Sequence, residues 1–219
     1  MNVKSAFLHG NIDTELYIKQ PEMFEEADHN SFVYRLKKGL YGLKQAGHTW
    51  NKTLHMHFLT HGYISLECEP LIYIKRDTAS NSIIIILVYV DDLQIICNNP
   101  HDLDTAKAEL KVRFKMMDLG EVHHILGLCI IRTPTTTSID QTHYIQGILK
   151  RTQMDECIPV NTPMEMSIQL VPLPLDEDGH NVKEHRSIVG ALNYAAVLTR
   201  PDIATAVSFS HSICRNVMG

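Results

Sequence analysis

The stretch Ile83-Ile84-Ile85-Ile86-Leu87-Val88-Tyr89-Val90-Asp91-Asp92-Leu93-Gln94-Ile95-Ile96 decides how the rest of the chain is read. Six apolar residues run into Tyr89-Val90-Asp91-Asp92, and more apolar residues follow. β-Branched residues favour strands, and neither Pro nor Gly interrupts the run. The economical reading is two strands joined by a tight turn, with Asp91 and Asp92 at the turn. Two carboxylates would then stand at the mouth of an apolar sheet. Buried charge is costly unless something offsets it, and a divalent cation can. Asp also favours turns for purely conformational reasons, and on this stretch alone a plain polar turn is the better reading.

The totals narrow the class. A chain of 219 residues can bury a real core as one large domain or two small ones. No apolar run reaches the ~18 residues of a membrane helix, since the run through Val90 is cut by Asp91. The residues after Lys4 are mixed, not apolar, so no secretory signal is expected. Cys68, Cys97, Cys129, Cys157 and Cys214 are scattered, odd in number and without CxxC spacing, which points to reduced thiols in a cytosolic or nuclear protein. A net charge of -5 weighs against a general nucleic-acid binder. Locally the balance reverses. No Asp or Glu occurs from His29 to Leu66, while Arg35, Lys37, Lys38, Lys44 and Lys52 do. That makes either a phosphate-facing surface or an ordinary solvated face.

Taken in order, Met1 to Gly10 reads as a short strand and turn, Glu15 to Gln20 as a second strand, 22–31 as an acidic loop and Phe32 to Leu36 as a third strand. Ala46, Trp50, Leu54 and Phe58 recur every fourth residue and predict a helix that Gly62 ends. His57 and His61 share that helix without an evident third metal ligand. A strand is expected around Leu71 to Ile74. Asn99-Pro100 reads as an N-cap and first helical position, with Leu103, Ala106, Leu110 and Phe114 on the inner face. Lys107, Lys111, Arg113 and Lys115 mark its outer face, and Leu119-Gly120 is expected to break it. Ile125 to Arg132 reads as β, a return strand begins near Ile139, and a helix is expected from about Tyr144 to Thr152. Prolines 159, 163, 172 and 174 suggest a linker over 158–181, followed by two helices, Arg186 to Leu198 and Pro201 to Ser212.

Several segments together resemble the reverse transcriptase of Copia-type retrotransposons. They are Val3-Lys4-Ser5-Ala6-Phe7-Leu8-His9-Gly10, then Leu36-Lys37-Lys38-Gly39-Leu40-Tyr41-Gly42-Leu43-Lys44-Gln45-Ala46, then Tyr89-Val90-Asp91-Asp92. Met117-Asp118-Leu119-Gly120-Glu121, Leu126-Gly127, Thr162-Pro163-Met164, Arg186-Ser187-Ile188-Val189-Gly190 and Thr199-Arg200-Pro201-Asp202-Ile203-Ala204 continue in order. The resemblance implies an α+β fold: a right-hand polymerase palm, an antiparallel sheet with helices on one face, plus partial fingers and a thumb or connection region. The corresponding division is 1–120 palm with remaining fingers elements, 121–157 thumb-like, 158–184 linker and 185–219 C-terminal helices.

By the same resemblance, RNA-directed DNA synthesis is implied, with a primer–template hybrid and deoxynucleotides as partners. Two Mg²⁺ ions about 3.5–4 Å apart would clamp the attacking and leaving oxygens. Mg²⁺ takes oxygen ligands in near-octahedral geometry, which carboxylates on neighbouring strands can supply. Asp91 and Asp92 are the implied ligands. Phe7 resembles the residue under the nucleotide sugar, and Gln45, framed by Tyr41, Gly42 and Lys44, the one that touches nucleotide and template. Tyr89 and Val90 would line the primer end. Leu126 and Gly127 resemble the primer grip, and Lys37, Lys38, Lys44 and Lys52 would face phosphates. A cytoplasmic location, or one inside a virus-like particle, is implied.

Three departures bear on activity. Asn2 stands where the family has its first catalytic aspartate, so a metal ligand there would bring no charge. Gly47-His48 replaces the family's Pro-Arg. The chain begins inside the first motif and stops before the ribonuclease H region, so upstream fingers strands, integrase and ribonuclease H are expected outside it. The expectation is weak or absent polymerisation. A non-catalytic nucleic-acid-binding remnant and a pseudogene product without function are the rival readings.

Overall fold

The computed structural model describes residues 1–25, 32–165 and 182–216, and divides into two compact units, Met1–Glu121 and Val122–Gly219. Most of the linker expected over 158–181, from residue 166 on, lies outside the described residues, as does most of the acidic loop.

The first unit is built on a six-stranded antiparallel sheet. Its strands are β1 (Asn2–Val3), β4 (Ile64–Ser65), β5 (Ile72–Asp77), β6 (Ser82–Tyr89), β7 (Asp92–Cys97) and β8 (Met116–Met117), in the order β4-β5-β6-β7-β1-β8. A separate two-stranded ribbon pairs β2 (Tyr17–Lys19) with β3 (Val33–Arg35). The isoleucine run is not buried on both faces. Along β6 the burial alternates: Ser82, Ile84, Ile86 and Val88 are buried, while Ile83 and Tyr89 are exposed. The buried row joins Val3, Tyr73 and Leu93 in a core with α1 (Lys44–Thr60) and α2 (Pro100–Arg113). Helix α1 contributes Ala46, Trp50, Leu54 and Phe58, the predicted four-residue repeat. Asn99 caps α2, its Oδ1 accepting from the His101 N–H at 3.0 Å. Pairs in register share a face, so Ile64, Ile74, Ile85 and Ile96 form one cross-strand row on the other face, as do Tyr89, Asp92 and Asn2.

Two expectations about the first unit are corrected. Helix α2 does not run to Leu119-Gly120: it ends at Arg113, Phe114 turns to extended backbone, and Met116–Met117 becomes a strand beside β1. Phe114 is 2% exposed, with its ring edge-on to Trp50, His9 and His57, so packing overrides helix continuation. The hairpin loop is Val90-Asp91, because Asp92 already pairs with Tyr89. The basic outer face of α2 is partly neutralised: Lys107 and Lys111 lie 3.1 and 3.7 Å from Asp118. The Gly120 N–H, and then the Lys107 ammonium, hold that carboxyl below the usual carboxylate range.

The second unit opens with a three-stranded sheet, β9 (His124–Ile125), β10 (Leu128–Arg132) and β11 (Thr137–Asp140). The apolar 125–132 run is thus two strands around a Leu126-Gly127 turn, both residues at positive φ. Helices α3 (Thr142–Arg151), α4 (Val182–Leu198) and α5 (Ala204–Asn216) follow, with a 3-10 turn at Pro201–Ile203. No helix among the described residues is long and apolar enough to cross a membrane.

Candidate functional site

The carboxylates stand at the tip of the β6–β7 hairpin. Val90 adopts φ 55°, unusual for a β-branched residue, and a positive φ at the first of two loop positions is what a primed hairpin turn needs. The Trp50 indole N–H donates to the Val90 carbonyl at 2.6 Å and ties the loop to α1. The sequence placed Trp50 on a helix face and missed this role. The available signal was general: a buried indole N–H seeks an acceptor.

β1 brings Asn2 to the carboxylates. Val3 N–H donates to Asp91 O at 2.7 Å and Leu93 N–H to Met1 O at 2.8 Å. These two bonds flank Asn2 and Asp92, which therefore form a non-hydrogen-bonded pair, the register in which facing side chains approach closest. The Asn2 Nδ2 donates to Asp92 Oδ1 at 2.9 Å and to Asp91 Oδ2 at 3.2 Å. Chemistry fixes the amide orientation, because a carbonyl oxygen turned toward two ionised carboxylates would repel them. All three residues are part-buried.

This donor set is poorer for a pair of Mg²⁺ ions than the three carboxylates that the resemblance implies. Two carboxylates and a neutral amide give one negative charge fewer than three carboxylates. The amide also presents its donor side to the place where a cation would go. Among the described residues no group of three His, Cys, Asp or Glu side chains could hold a metal.

The other predicted positions of the first unit lie at the hairpin, in the Ala6–His9 turn, and on or just before α1. Tyr89 is exposed beside Asp92 across the ladder. Phe7 lies in a 3-10 helix, Ala6–His9, with its ring 4.5 Å from that of Tyr41. Gly42, at φ 92°, precedes α1, and Lys44, Gln45 and Lys52 are exposed on α1. Lys37 and Lys38 are exposed and held by backbone contacts, Ile12 N–H to Lys37 O at 3.1 Å and a bridge from Asn11 to Lys38. Arg35 is not a free cation, since it pairs with Glu15 at 3.1 Å. Leu126 and Gly127 belong to the second unit. There the Leu126 carbonyl accepts from the Tyr194 hydroxyl, and a Cβ on Gly127 would lie 3.5 Å from the Tyr144 ring.

An antiparallel sheet with a carboxylate-bearing hairpin at its centre, on a mixed α and β background, defines a class consistent with template-directed polymerases. Residues 1–166 match the family described as reverse transcriptase (RNA-dependent DNA polymerase), and the chain belongs to that family. It is 39% identical over 214 residues to the retrovirus-related Pol polyprotein from transposon TNT 1-94 of Nicotiana tabacum, covering 94% of this chain and 16% of that protein. It is 38% identical over 208 residues to the Pol polyprotein from transposon RE1 of Arabidopsis thaliana, covering 95% of this chain and 14% of that protein. A putative transposon Ty5-1 protein of Saccharomyces cerevisiae is 33% identical over 211 residues, covering 95% of this chain and 67% of that protein. The chain thus spans about one-sixth of the length of the plant polyproteins it matches. No solved structure matches.

Proposed function

We propose that this chain is a polymerase palm with adjoining helices, descended from an RNA-directed DNA polymerase, that engages a primer–template hybrid but extends it weakly or not at all. The observation that carries this reading is Asn2, an uncharged amide facing Asp92 in register where a third carboxylate would be required. Losing an outer partner of a metal ligand alone costs about 10–100-fold in affinity or activity, so losing a ligand's charge costs at least as much. The open sheet face around Tyr89, and the exposed Lys37, Lys38, Lys44 and Lys52, support contact with a polyanion. Primer extension on an RNA template, with Mg²⁺ or Mn²⁺, tests the catalytic half, and robust extension by the native sequence would refute it. Binding to the hybrid should weaken steeply with added salt; salt-independent binding would count against the phosphate-facing role of the lysines.

A further inference from the structure

We propose that the Asn2 side chain takes over the structural part a cation would play, bridging Asp91 and Asp92 so that the hairpin tip keeps its shape with no divalent ion bound. The proposal draws on the functional reading only for the idea that a carboxylate would otherwise stand at position 2. Two carboxylates held together repel and need positive charge or hydrogen-bond donors between them. A primary amide has two N–H donors on one nitrogen. Here both are used, one on Asp92 Oδ1 at 2.9 Å and one on Asp91 Oδ2 at 3.2 Å. Hydrogen bonds to ionised acceptors are the stronger kind, and a bridge of this sort sets spacing as well as energy.

The backbone supports the bridge independently. The Asn2–Asp92 register and the two ladder bonds on either side place the amide at the carboxylates before any side-chain choice is made. A cation entering here would have to displace both hydrogen bonds from the Asn2 amide and turn the amide over. An aspartate at position 2 would instead gather three carboxylates, whose mutual repulsion a bound cation would relieve. The substitution therefore exchanges a cation-dependent tip for a cation-independent one.

The test is thermal unfolding of the full chain without nucleic acid or nucleotide, in EDTA and in excess MgCl₂ or MnCl₂. The chain has one tryptophan, and Trp50 is buried and bonded to the same hairpin, so its fluorescence reports this unit. The native chain should melt within about 1 °C of the same midpoint in all three conditions, and Asn2→Asp should melt roughly 4–8 °C higher with Mn²⁺ than in EDTA. Folding of Asn2→Asp only when Mn²⁺ is added is the same result in stronger form. Asn2→Ala removes the bridge without adding charge, and should lose roughly 2–4 °C in EDTA and recover part of it with Mn²⁺. A Mn²⁺ response of the native chain as large as that of Asn2→Asp would overturn the proposal. So would an Asn2→Ala variant that melts like the native chain. Robust primer extension would sink the functional reading while leaving a cation-independent melt intact, so the two failures are distinguishable.

Discussion

Replacing Trp50 by Phe probes what aims the carboxylate-bearing loop. Trp50 is 2% exposed, and its indole N–H reaches the Val90 carbonyl at 2.6 Å. Val90 sits at φ 55°, where an L residue pays about 1–2 kcal/mol, so the loop needs an external tie. Phenylalanine keeps an aromatic ring near Phe114, now 5.3 Å from the indole, but has no N–H. Loss of the hydrogen bond costs about 1 kcal/mol; Val90 is 42% exposed, so water can reach its carbonyl and the larger cost of a buried orphan does not apply. The smaller ring gives up burial equivalent to about two methylenes, at about 0.8 kcal/mol each. The expected loss is about 2–3 kcal/mol. Urea unfolding followed by far-ultraviolet circular dichroism reads it, since the variant lacks the fluorophore. Amide exchange localises it: the Val3 and Leu93 N–H groups, which bond across β1 and β7, should exchange faster, while the Phe114 N–H bonded to Leu110 O should change less. A stability loss under about 0.5 kcal/mol, below the value of one hydrogen bond, would refute the reasoning. A uniform rise in exchange would show that Trp50 supports the core without steering the loop.

Two further outcomes follow from the first unit. Gly39→Ala would set a Cβ 2.7 Å from the Phe7 carbonyl oxygen and 3.3 Å from the Ala46 Cβ, forcing backbone apart at a cost of about 1–3 kcal/mol; an unchanged urea midpoint would contradict that close approach. The His57 imidazole is pushed down to about 4, first by burial and then by His61 and Arg113. The unfolded chain therefore binds the proton first as pH falls, and stability should drop from about pH 6.5 toward 4. His57→Gln should flatten that part of the stability–pH curve, and an identical slope in the variant would remove His57 as the cause.

The features legible along the chain were local ones. The four-residue repeat of Ala46, Trp50, Leu54 and Phe58 specified a helix face, and Asn99-Pro100 specified a helix start, because each depends on neighbours within a turn or two. The apolar runs flanking Tyr89 and Asp92 specified a hairpin for the same reason, and the collinear motifs carried the family. The remaining features depend on long-range packing. It moved the loop to Val90-Asp91, ended α2 early so that Met116–Met117 could flank β1, and split the 125–132 run at Leu126-Gly127. The motifs already implied that residue 2 stands near Asp91 and Asp92; tertiary structure supplied the register, Asn2 against Asp92, between residues far apart in the chain. No local pattern encodes that pairing. It follows from which alternate residues of β1 and β7, Val3 and Leu93 among them, must face the helices; the opposite face then receives the amide and the Asp92 carboxylate together, and Asp91 meets the amide from the loop.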